Sequence, residues 1–201
     1  MLGIISAGFL IYFGNKDKES VNKAVATFFI FISLIQVMEY FMWKDIKCET
    51  GENYIASLIG PLINFLQPVV MFAIFFYFLK PNINKDILSA IIGANLLYCA
   101  YVLYLYNNYI NDKNNLCTKV NDENHLTWNW LKKYNSTFYV FFLLLNYIPF
   151  SSYNEATVSI FMSIITLIFS QTNYKKNAGE LWCFTSTGIP LIVLAVQKIL
   201  T

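Results

Sequence analysis

The chain has 201 residues, of which 57% are hydrophobic, 18% aromatic and only 13% charged. That is more apolar surface than a soluble domain of this size can bury, so the composition is that of a membrane protein. All 14 basic residues are lysine and the formal net charge is +2, which excludes an arginine-dense voltage-sensing helix, an arginine clamp on phosphate and a basic stripe for nucleic acid.

A backbone in lipid must satisfy its own hydrogen bonds, and long apolar runs do so most simply as helices. The expected fold is all-α, a multi-pass transmembrane bundle of seven helices forming a single transmembrane domain over residues 1–201. A six-span variant has the first or fifth segment re-entrant. The first span, residues 2–13, lacks a basic leader and a small-residue cleavage site, so it is expected to be retained. Its apolar run reaches roughly 20 Å against about 30 Å of hydrocarbon, so it must thin the bilayer or extend into Gly14 and Asn15.

The second span, residues 21–43, carries Glu39, the one acidic side chain well inside an apolar run; the other carboxylates fall in or beside polar stretches. A carboxylate in hydrocarbon costs about 2.5–3.5 kcal/mol on insertion scales, so it normally faces a protein interior or a wet cavity. Gln36, Glu39 and Trp43 follow i, i+3, i+7 spacing and form a stripe expected to point inward. The third span, residues 54–79, repeats the pattern with Gly60, Asn64, Gln67 and Met71, between and beside Pro61 and Pro68. Pro68 lacks an amide donor, which predicts a kink and a freed carbonyl at Asn64.

The fourth span, residues 86–106, offers Asn95, Tyr98 and Cys99. Residues 107–135 then form a polar loop expected to lie outside the membrane and cap one face; it holds the only histidine, His125, and Trp128 and Trp130. The fifth span, residues 136–149, is short and contains Asn146; a start near Trp128 would lengthen it, with Lys132 and Lys133 snorkelling to the interface. The sixth covers residues 154–171. The seventh, residues 179–200, opens with an unusually polar stretch containing Glu180, Trp182 and Cys183.

In this topology the end of the second helix and the start of the seventh share a leaflet, so Glu39 and Glu180 can meet and share a proton or a hard cation. The candidate ligand-binding residues are Gln36, Glu39, Asn64, Gln67, Asn95 and Glu180, with Trp43 and Trp182 closing the mouth. Competing readings are structural: Glu180 complements the N–H groups of a helix start, and Asn64, Gln67, Asn95 and Asn146 make interhelical hydrogen bonds. Lysine counts on the two faces do not fix orientation. Cys48 and Cys117 lie in loops on one face, either as free thiols or as a disulfide; a disulfide makes that face non-cytoplasmic and puts the N-terminus outside. Asn135-Ser136-Thr137 is an acceptor sequon on the same face.

No cofactor is expected, and no metal site. A single histidine cannot furnish a multi-histidine zinc site, Lys198 is too near the C-terminus for a retinal Schiff base, and phosphate loops, serine elbows and Cys-x-x-Cys pairs are missing from the sequence.

The order Gln36-x-x-Glu39-x-x-x-Trp43, Cys48, Asn53, Gln67-Pro68, Gly179-x-x-Trp182-Cys183 and Pro190 resembles an uncharacterised family of small seven-helix membrane proteins of microbes and large DNA viruses. Asn64 stands where the family pattern has a histidine. The resemblance implies the span count and a shared role for these residues, and no activity. The leading expectation is a polar, carboxylate-containing pocket that binds or conducts a small solute, proton or cation. Two alternatives are an intramembrane enzyme acting on lipid and an architectural or receptor-like membrane protein. The expected partners are the bilayer and a small solute or ion, without nucleic acid; an oligomer is compatible with the sequence.

Overall fold

The computed structural model of the chain describes residues 2–200 apart from 123, 134, 135 and 175–177. The sequon at Asn135 therefore lies outside the described residues. The architecture is all-α with one small hairpin. Its helices are α1 (Leu2–Phe13), α2 (Glu19–Lys44), α3 (Glu52–Phe65), α4 (Gln67–Phe78), α5 (Lys85–Ile110), α6 (Ser136–Tyr147), α7 (Asn154–Asn173), α8 (Ala178–Ser186) and α9 (Ile189–Leu200). Among the described residues four stretches are long and apolar enough to cross a membrane, namely Lys16–Lys44, Lys85–Ile110, Asn154–Asn173 and Ala178–Ile199; α3 and α4 together make a fifth if their 59° bend lies within one span. The helices α1 and α6 are shorter and apolar. Large apolar side chains are exposed along these elements, including Leu96, Leu97, Leu103, Phe141 and Phe169, which is compatible with a membrane environment.

The breaks are chemical consequences of proline. Between α3 and α4 the chain turns at Leu66, and Pro68 has no amide to continue the ladder. Side-chain donors converge on the break: the Tyr98 hydroxyl donates to Phe65 O at 2.8 Å and Asn146 Nδ2 donates to Pro68 O at 3.0 Å. Between α8 and α9 the chain turns at Thr187-Gly188, and Pro190 again removes a donor. The Ser6 hydroxyl of α1 donates to Thr187 O. The contact is close: a Cβ on Gly3 would sit 1.7 Å from Ser33 Oγ and 3.2 Å from Thr187 Cβ, so α1 seats only because that position is glycine.

Asn95 and Asn146 make a reciprocal pair, with amide-to-carbonyl distances of 2.6 and 2.9 Å. The two residues bolt α5 to α6 and, through Pro68 O, to α4. Both side-chain polar atoms of Asn95, one of the candidate ligand contacts, are thus engaged in helix packing. Asn95→Leu strands buried polar atoms of Asn146 and is expected to cost about 1–2 kcal/mol, read as earlier unfolding of the protein in detergent. The Asn95→Leu/Asn146→Leu double variant should recover part of that loss, and strictly additive losses would contradict a coupled pair.

The segment between α5 and α6 is folded. It contains a 3-10 turn at Lys113–Leu116, strands β1 (Lys119–Val120) and β2 (Leu126–Thr127) paired antiparallel with Lys119 opposite Thr127, and a second 3-10 turn at Asn129–Lys133. The helix that follows begins at Ser136, so the extension of the fifth span back to Trp128 does not occur. Trp128 and Trp130 are instead 5% and 3% exposed, stacked on each other with ring centres 5.0 Å apart. A disulfide joins Cys117 to Cys48, between α2 and α3. Beside it Asn53 exchanges hydrogen bonds with the Thr118 backbone at 2.9 Å each way, and Ser57 Oγ lies 2.8 Å from Thr118 Oγ1.

Asp45 organises the turn under that disulfide. Its carboxylate accepts from the amides of Glu49, Thr50 and Asn53 at 2.8, 3.1 and 3.2 Å. Burial raises its pKa, but the amide donors outweigh burial and hold it at about 2, below the 3.8 of an ordinary aspartate. A depressed carboxyl stabilises the fold fully above its unfolded value and loses that contribution as pH falls through about 2. The expected result is that thermal stability of the wild type falls across this acid window, whereas Asp45→Asn is weaker at neutral pH and shows a flatter acid dependence.

Candidate functional site

The buried stripe of α2 runs through Phe28, Ile32, Ile35 and Met42, which are i, i+4, i+7 and i+14, and Glu39 falls on that line at i+4 from Ile35. The predicted stripe is displaced by about one residue. Gln36 is only half-buried on its flank, and Trp43 is 42% exposed on the outer surface; it does not close a mouth over Glu39. On α3 and α4 the stripe is in phase, with Gly60, Asn64, Gln67 and Met71 all buried.

Glu39 lies within electrostatic range of Glu180, in the first turn of α8, and of the Cys183 thiol one turn on. Glu180 is the better supported of the two carboxylates. His125 Nδ1 lies 3.2 Å from its Oε2, and the Leu126 amide donates to it, so the hairpin reaches down onto the start of α8. Glu39 Oε1 is buried with no hydrogen-bond partner. Gln67 accepts through Oε1 from the Tyr139 hydroxyl at 2.6 Å, while its Nε2 has only the Cys183 sulfur nearby. Trp182 packs edge-on against Tyr139 and donates its indole N–H to Ser163 O at 2.8 Å. It is a wall of the site, 3% exposed.

Two further donors join from above, because the indole nitrogens of Trp128 and Trp130 are buried and unpartnered. The packing is close there: a Cβ on Gly179 would lie 3.0 Å from the Trp128 ring, and one on Gly60 would lie 3.3 Å from Met42 Cε and from the Trp130 ring. The indoles therefore form the roof, between α3 and the α8 start. Buried polar atoms are nearly always paired, and each unpaired one costs about 1–3 kcal/mol. One carboxylate oxygen, one amide nitrogen and two indole nitrogens left over among neighbouring residues is chemistry prepared for something else, either water or a guest. Among the described residues no group of three or more His, Cys, Asp or Glu side chains is arranged to hold a metal ion.

Over residues 1–200 the sequence matches a family described as Family of unknown function (DUF5765). The chain belongs to that family. No curated protein matches it. No solved structure matches it either. For this DUF5765 member the chemistry must therefore be read from its own residues.

Sequence reasoning placed Trp128 and Trp130 only in the capping loop and not among the site residues, and it passed over His125 as a partner for Glu180. It also passed over Glu155, which opens α7 yet is 7% exposed. Glu155 stands beside polar Asn154 and Ser152 in sequence, where a solvated carboxylate is the ordinary expectation. What buries it is Gln197, 42 residues away, and no local pattern announces such a partner.

Proposed function

We propose that this DUF5765 protein crosses the bilayer seven times and that the cluster around Glu39 binds or passes a small polar solute, a proton or a cation. In this reading α1, α2, the bent α3–α4 pair, α5, α6, α7 and the broken α8–α9 pair are the seven spans. The segment between α5 and α6 lies on the non-cytoplasmic side with the N-terminus, an orientation supported by its disulfide, since such bonds persist in oxidising compartments. Glu39 is the charge-bearing contact, Gln67 orients the guest, and Glu180 with His125 forms the gate beneath the indole roof.

The single observation that carries this reading is the set of unmatched buried atoms at Glu39, Gln67, Trp128 and Trp130. Three unpartnered N–H donors and a carboxylate in one region suit a solute with both acceptor and donor groups, or a short water chain that passes protons. The test is reconstitution into liposomes loaded with a pH-sensitive dye, with flux followed under an imposed pH gradient and with small polar solutes as competitors. Flux at the level of empty vesicles, together with no competitor binding, would overturn the proposal.

A further inference from the structure

A second polar centre occupies the opposite end of the bundle. There the start of α2, the start of α7 and the end of α9 enclose a cleft of about 370 Å³ lined by Asn15, Lys18, Glu155, Val158, Val193 and Gln197, among others. Its floor is a fixed network. Gln197 Nε2 donates to Asn22 Oδ1 at 2.8 Å and to Glu155 Oε1 at 3.2 Å, Gln197 Oε1 accepts from the Asn15 amide at 3.2 Å, and Asn22 Nδ2 donates to Asn15 O at 3.1 Å. Every link in this chain is used except one: Glu155 Oε2 is buried and has no hydrogen-bond partner, in a residue that is 7% exposed and lines the cleft.

Placing a carboxylate at the first turn of α7 complements that helix's N–H groups, but a helix end asks only for charge nearby and does not explain an oxygen kept dry without a donor. The cleft has an acidic floor, valine walls and a lysine at its exposed rim. That order, negative within, apolar along the side and positive outside, is the complement of a zwitterion whose ammonium leads and whose anionic group trails. We propose that this cleft binds a primary-ammonium zwitterion of the aminoethyl phosphate type, with the ammonium donating to Glu155 Oε2, the methylenes against Val158 and Val193, and the phosphate toward Lys18. A primary ammonium has three N–H donors for this purpose, whereas a trimethylammonium has none and is wider. The same head is carried by an aminophospholipid and by free phosphoethanolamine.

The experiment uses the full chain purified in detergent, with bound ligand counted by native mass spectrometry. Phosphatidylethanolamine and phosphatidylcholine of the same acyl chains are offered in equal amounts, and phosphoethanolamine is added as a soluble competitor. The expected result is at least a tenfold preference for phosphatidylethanolamine, reduced to near parity in Glu155→Gln, which keeps the side-chain shape and an acceptor for Gln197. Displacement by phosphoethanolamine identifies the head alone as the ligand; failure to displace identifies the lipid, and either supports the proposal. Equal retention of the two lipids, or a preference that survives Glu155→Gln, overturns it. Should Glu155→Gln not fold, Val196→Phe narrows the cleft from its apolar side without touching the network; a preference persisting there also overturns the proposal.

Discussion

Glu39→Gln is expected to abolish at least nine-tenths of the flux or solute binding measured in liposomes while leaving the protein about as stable as the wild type. Glutamine keeps the shape of the side chain and one acceptor, so the packing around it is retained. What it removes is a carboxylate whose Oε1 is buried unpartnered. Replacing a buried carboxyl group that lacks a partner by an amide of the same volume is expected to change stability by no more than about 1 kcal/mol, so activity should be lost without a matching loss of stability. A purely architectural Glu39 predicts the reverse, loss of stability with function intact, and flux unchanged in Glu39→Gln would sink the role assigned here. Trp43→Leu is the matched control. Trp43 is one turn on and 42% exposed, so its replacement should leave flux within about twofold, a difference of less than 0.5 kcal/mol.

The second large effect belongs to the disulfide. Cys48 and Cys117 close a loop of 69 residues, and the chain-entropy relation assigns such a link about 4 kcal/mol at 25 °C. Cys48→Ser/Cys117→Ser is therefore expected to lower the unfolding midpoint steeply in detergent, and reduction of the wild type should reproduce most of that fall. The bond also ties β1 to the α2–α3 turn, so its loss should loosen the Trp128 and Trp130 roof. Tryptophan fluorescence should shift to the red on reduction before global unfolding. A midpoint unchanged by reduction would show that the Asn53–Thr118 and Ser57–Thr118 bonds hold the segment unaided.

How far the fold was legible depends on whether its cause was local. Helices occupy the stretches that apolar runs mark out, and the α3–α4 bend follows from Pro68, because a missing amide is written in the sequence itself. The proximity of Glu39 and Glu180 followed from counting spans. The phase of the α2 stripe did not, because Gln36, Glu39 and Trp43 satisfy helical spacing as well as Ile35, Glu39 and Met42 do, and only the neighbours decide which line is buried. The roof was hidden for a different reason. Trp128 and Trp130 lie in a segment whose path is fixed by Cys48 and Asn53, distant in sequence, and an aromatic pair beside lysines reads locally as an interfacial belt. Glu155 was missed because Gln197 and Asn22 bring its shielding from two other helices.

The seat of α1 carries a consequence for biosynthesis. Ser6 is tied to the carbonyl of Thr187, 181 residues further along, so α1, which packs first on the adjoining α2, gains its second neighbour, the α8–α9 turn and α9, only after nearly all of the intervening chain has been made. Nascent chains arrested ahead of Thr187 should consequently leave the Ser6 face of α1 open to crosslinkers while its α2 face is already covered, and that exposure should fall once the α8–α9 turn has been made.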